Sequence, residues 1–83
     1  GDSMIGAGIN SGDILIVDRA LSARSGSIIV AVVNGEFTVK RLSRINRGIF
    51  LLPENPAYEP IEITEGSGFE VWGVVAHVIH TVR

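Results

Sequence analysis

Ser27-Ile28-Ile29-Val30-Ala31-Val32-Val33-Asn34-Gly35-Glu36-Phe37-Thr38-Val39-Lys40-Arg41-Leu42 is the stretch on which the fold turns. An apolar, β-branched run from Ser27 to Val33 meets Asn34-Gly35, and a second run returns from Glu36 to Leu42. Both turn residues tolerate the positive φ of a type I′ turn, so the stretch predicts a β-hairpin. Side chains alternate along a strand. Thr38, Lys40 and Leu42 therefore share one face of the returning strand, and Phe37, Val39 and Arg41 the other.

Working outward, the same punctuation recurs. Ile14 to Val17 is a short apolar run that reads as a buried strand, and Ile49 to Leu52 is another, stopped by Pro53. Asn55 to Pro60 reads as a loop, because its two prolines lack backbone donors. Ile61-Glu62-Ile63 alternates like an edge strand. Phe69 to Val82 is a long apolar strand region with a bend expected at Gly73. No segment keeps a 3.6-residue period, so helix content is expected to be low. The reading is one mainly β domain over residues 1–83.

A chain of 83 residues buries a modest core, and with no cysteine it has no disulfide to reinforce it. Dimerisation is the remaining common source of buried area, so a homodimer is expected. The net charge of −2 argues against holding duplex DNA by bulk charge. No apolar run approaches the ~20 residues of a membrane helix, and no membrane partner is expected. The opening Gly1-Asp2-Ser3-Met4 has neither a basic nor a long apolar region, so no signal peptide is expected, and a cytoplasmic setting is. It also lacks an initiating Met, and is expected to be a piece of a longer protein.

Few residues offer chemistry. Ser3 lies between turn formers and an apolar anchor, where a hydroxyl is held exposed; an ordinary turn or N-cap serine fits too. Lys40 sits inside an apolar strand. If it is desolvated its charged form is disfavoured, and a neutral amine takes a proton from a serine, as in Ser-Lys variants of the serine triad. A snorkelling lysine is the ordinary alternative. His77 and His80 are three apart in a strand and point to opposite faces. Asp13 and Asp18 bracket a strand as turn residues, and Arg41, Arg44 and Arg47 make a small basic spot that reads as solvated surface. Gly6, Gly8 and Gly12 do not have phosphate-loop spacing, and Trp72 with Phe69 fits a core or a dimer face. No metal or cofactor is expected. From the residues alone, the result is a small β domain with one serine and one lysine that are able to meet.

The combination says more. Gly1-Asp2-Ser3-Met4, Gly12-Asp13-Ile14-Leu15 and Gly35 to Leu42 (GEFTVKRL), in that order, resemble the LexA/UmuD self-cleaving serine peptidase family. Leu51 to Ile61 (LLPENPAYEPI) and Gly73-Val74-Val75 resemble it too, and the serine-to-lysine separation of 37 positions is that of the family. Ile14 to Asp18, Gly35 to Lys40 and the ending Gly73 to Arg83 look more like the UmuD branch; Leu51 to Asn55 leans towards LexA.

The resemblance implies a LexA/signal-peptidase-like fold of coiled β-sheets, with Ser3 as nucleophile and Lys40 as general base. It implies self-cleavage in a segment upstream of Ser3, at a small residue followed by glycine, stimulated by the RecA filament on single-stranded DNA. A UmuD-type product is expected to dimerise and to serve a UmuC-type translesion polymerase, without binding nucleic acid itself. The alternative is the dimerisation and self-cleavage domain of a LexA-like or phage-type repressor, whose helix-turn-helix domain lies upstream. A leader peptidase shares the Ser-Met start but needs a membrane segment. A non-catalytic module is disfavoured by retention of both Ser3 and Lys40. With two residues ahead of Ser3, the chain is expected not to cut itself.

Overall fold

The hairpin at Asn34-Gly35 is the centre of the molecule in the computed structural model, which describes residues 2–82. Asn34 and Gly35 take φ of 51° and 81°, both in the left-handed region that a type I′ turn requires. They join β2 (Ile28–Val33) to β3 (Glu36–Ile45), paired in antiparallel register from Ile28 opposite Arg41 to Val33 opposite Glu36. The remaining strands are β1 (Ile14–Asp18), β4 (Gly48–Leu52), β5 (Ile61–Ile63) and β6 (Phe69–Ile79). Two short 3-10 turns, Ile5–Ala7 and Glu65–Ser67, are the helical segments among the described residues. The fold is mainly β with little helix, as the sequence implies.

All six strands join one antiparallel sheet in the order β1-β6-β2-β3-β4-β5. β5 is an edge strand, as its alternation predicted. β3 runs past its expected end at Leu42 to Ile45 and returns through Asn46-Arg47 into β4, with Ile45 opposite Gly48. The sequence reading missed this second hairpin because Asn46 supplies the positive φ (56°) with no glycine beside it. β6 stops at Ile79 rather than Val82.

The expected bend at Gly73 is a bulge. Val30 pairs with Gly73 and Ala31 with Val71, which leaves Trp72 as the extra residue. A Cβ on Gly73 would sit 2.4 Å from Val17 Cγ1, so β1 approaches β6 there more closely than any side chain permits.

The core lies on one face of the sheet. Ile29, Ala31, Leu42, Leu51 and Val74 are buried together, and the pairs Ile29–Val74 and Leu42–Leu51 stand directly opposite across their strands. Ile63 of edge strand β5 and Val71 of β6 both pack on this cluster. Strands so far apart in the order reach the same core because the sheet twists and curls around it.

Candidate active site

Lys40 is the one charged side chain on the core face of β3 that is buried, at 8% exposure. It lies opposite the fully buried Ile29, so its stem is surrounded by apolar side chains and its amine emerges at the end of the cluster. There Nζ lies 2.7 Å from Ser3 Oγ, 2.9 Å from Thr38 Oγ1 and 3.1 Å from the Val39 carbonyl oxygen. Of the two readings the sequence left open for Lys40, the structure takes the desolvated one. Burial pulls its pKa below the ordinary lysine value, and among the described residues no carboxylate is paired with it.

Nζ is within donating distance of all three oxygens, which an ammonium satisfies with its three N–H groups. In the neutral form that burial favours, two N–H groups would donate to Thr38 Oγ1 and the Val39 carbonyl, leaving the lone pair for the Ser3 hydroxyl. A base in that orientation accepts the serine proton and leaves an oxygen nucleophile.

Ser3 is held by the loop after β4. The Glu54 N–H donates to the Ser3 carbonyl at 2.7 Å, and the Gly6 N–H donates to the Glu54 carbonyl at 2.7 Å. Asn55 Nδ2 donates to the Asp2 carbonyl at 3.0 Å. Met4, at 3% exposure, anchors the segment in the apolar interior. Arg41 fixes the bracket from β3: its Nε pairs with the Glu54 carboxylate, and its Nη1 donates to the Gly26 carbonyl at 2.7 Å. A cleft of about 320 Å³ opens over the pair, walled by Val30, Phe37 and Val39.

The other candidate residues lie elsewhere. His77 is exposed opposite Ile16, while His80 lies past the end of β6 and pairs with Asp13 at 2.9 Å. Asp18 Oδ1 accepts from the Ala20 and Leu21 N–H groups, and Asp13 from Asn10, so both are turn carboxylates as read. Arg44 and Arg47 are exposed, but Arg41 leaves the expected basic spot to serve Glu54. The sequence reading missed Glu54, Asn55 and Gly6, which lie some fifty positions apart and meet only through folding; the turn signal at Leu51 to Pro60 marked a loop, not its target. Trp72 and Phe37 meet edge to face at 6.0 Å, and Phe69 packs on the core.

Comparison with known proteins gives the family. Residues 1–76 match the family model described as Peptidase S24-like. The chain is 48% identical over 79 residues to LexA repressor 1 of Xanthomonas campestris pv. campestris, covering 95% of this chain and 39% of that protein. It is 46% identical over 83 residues to the LexA repressor of Syntrophotalea carbinolica, covering all of this chain and 41% of that protein. Protein SamA of Salmonella typhimurium is 45% identical over 83 residues, with 56% of its length covered. The chain thus spans about two fifths of the length of the LexA relatives.

These names correct the UmuD assignment. LexA repressors stand among the relatives at 46–48% identity, which favours the repressor alternative and leaves the UmuC-type polymerase partner without support. The residues that suggested UmuD, Ile14 to Asp18, Gly35 to Lys40 and Gly73 onward, are strands β1, β3 and β6 and the turn before β3. With the match running from residue 1 to residue 76 across the Ser3–Lys40 pair, the chain belongs to the Peptidase S24-like family.

Proposed function

We propose that this chain is the dimerisation and self-cleavage domain of a LexA-like repressor, with Ser3 as nucleophile and Lys40 as general base. The observation that carries the reading is the 2.7 Å contact between Ser3 Oγ and a buried, uncompensated lysine amine. The reaction is acyl transfer. Lys40 Nζ takes the Ser3 hydroxyl proton as Oγ attacks the scissile carbonyl carbon. Backbone N–H groups near Ser3 stabilise the oxyanion. The lysine then returns the proton to the leaving amine, and water releases the acyl group by the same base. The substrate is a segment of the same protein upstream of Gly1, and the RecA filament stimulates its cleavage. Cleavage separates this domain from a helix-turn-helix domain, which carries the DNA binding that a net charge of −2 does not favour here.

The test is intact-mass analysis of the full-length protein across neutral and alkaline pH, beside Ser3→Ala and Lys40→Ala. One cut that accelerates with pH and disappears in both variants is the expected result, since a lysine base works only when neutral. The released N-terminal piece should bind operator-like duplex DNA. Normal cleavage in Lys40→Ala would exclude the dyad, and a released arm of a few tens of residues without a DNA-binding domain would exclude the repressor.

A further inference from the structure

Phe37 is a large apolar side chain left 65% exposed at the rim of the candidate active site. Scattered exposed apolar residues are ordinary, but this one is held in place. Its ring meets Trp72 edge to face, with centroids 6.0 Å apart and planes at 84°. Trp72 is the bulged residue of β6, and Arg19 fixes it twice. The guanidinium lies 4.2 Å from the indole centroid, and Arg19 Nε donates to the Trp72 carbonyl at 2.8 Å. Trp72, itself fixed by Arg19, thus holds a phenyl ring where it covers no core.

The strand that carries Phe37 has an unused side. β2 pairs with β3 from Glu36 to Arg41, whereas β4 pairs only from Arg41 to Ile45. On the side away from β2, Glu36 to Lys40 has no strand neighbour among the described residues. Two clefts meet there at Phe37 and Thr38. One, of about 320 Å³, runs from Ser3 and Lys40 past Val39 to Phe37. The other, of about 470 Å³, continues from Phe37 and Thr38 to Asn34 and Ile61. An open strand edge recognises an extended peptide by main-chain hydrogen bonds, and side-chain pockets along it supply selectivity.

We propose that Phe37 is a specificity-determining residue of this groove: it divides the groove into two pockets and packs against an apolar side chain of the extended peptide whose carbonyl reaches Ser3. Trp72 and Arg19 are positioning residues that act through Phe37. The inference rests on the peptidase reading above and adds to it the residue that selects the peptide.

Self-cleavage of the full-length protein, followed by intact mass across pH, tests it with Phe37→Ala, Phe37→Leu and Lys40→Ala. Phe37→Ala should slow the cut by roughly tenfold or more, the scale of a lost apolar pocket contact. Phe37→Leu should recover most of the rate. The pH at which cleavage accelerates and the melting temperature should both stay at the wild-type values, because Phe37 touches neither the lysine amine nor the core. Wild-type cleavage in Phe37→Ala would overturn the inference while leaving the dyad intact. So would a slower cut with a displaced pH profile, which would mean that the ring acts on Lys40. Failure of the wild type to cleave at any pH, with RecA filament present, would remove the peptidase reading itself and the inference with it.

Discussion

The Lys40 amine has two hydroxyls and a carbonyl around it and, among the described residues, no counter-ion, which is an expensive place for a charge. The sign of its effect on stability follows from the direction of its pKa. The folded chain holds a proton on Lys40 less tightly than the unfolded chain, so between the lowered value and the ordinary 10.5 the unfolded state binds more protons. Stability contributed by this site rises with pH through that window, and the full penalty is present below it. Replacing the amine with an apolar side chain of similar length should therefore help. Lys40→Met is expected to stabilise the domain by on the order of 1 kcal/mol at neutral pH, with the gain fading as pH approaches 10.5. Urea midpoints of the two proteins at several pH values check this, and a destabilised variant would mean that the lysine is an ordinary packed stem. Ser3 shows the limit of reading at this scale: its tetrapeptide fits a turn serine equally well, and nothing in four residues says which amine it faces.

At the scale of elements, the site is a bracket between a loop and a strand. The segment from Asp2 to Gly6 is held to Glu54 by two backbone hydrogen bonds and to the Asn55 side chain by one, and Glu54 is held to β3 by Arg41. Gly6 is where this bracket has least tolerance. A Cβ there would lie 2.4 Å from the Glu54 carbonyl oxygen, a backbone atom that cannot move without carrying Ser3 along. Gly6→Ala is expected to cost about 1–3 kcal/mol, and to slow self-cleavage of the full-length protein out of proportion to its loss of stability. Thermal melts beside cleavage rates measure the two effects separately; a variant that cleaves normally would show that the bracket does not position Ser3. The hairpins differ in how plainly they announce themselves. Asn34-Gly35 was legible because both residues favour positive φ, whereas Asn46-Arg47 was not, since only its first residue does.

Across the whole molecule, the start of β1 is tied to the end of β6. Asp13, in the loop before β1, pairs with His80, just past β6. The Asn10 N–H is the main cause of the lowered Asp13 pKa; desolvation, the next largest effect, opposes it, and the His80 hydrogen bond and charge lower it further. A depressed carboxylate pKa contributes stability that is present above the ordinary value of 3.8 and is lost as pH falls through the folded value. His80→Ala should move the Asp13 pKa back towards 3.8, read by the carboxyl carbon chemical shift across an acid titration, and should bring acid unfolding to a higher pH. An unchanged titration would mean that the pair does not form in solution. β1 is also an edge strand, and Ile14, Ile16 and Ile79 stand exposed along it and its neighbour. Sedimentation of the full-length protein measures whether the chain dimerises.

The sequence by itself determined the strands, the first hairpin and the family. Alternation, β-branched runs and an Asn-Gly turn act over a few residues, and a motif series in fixed order survives without coordinates. It also named Ser3 and Lys40, through the resemblance rather than through their neighbours. It did not settle the branch of the family, because its motifs pointed both ways: Gly35 to Lys40 towards UmuD and Leu51 to Asn55 towards LexA. Only the tertiary structure decided that Lys40 is buried, that Glu54 holds Ser3, that Arg41 serves Glu54 rather than a basic surface, and that Trp72 supports Phe37. Each of these joins residues from different segments, many of them dozens of positions apart. Burial and distance are properties of the curled sheet, and no local pattern in the chain encodes which side chains its curl will bring together.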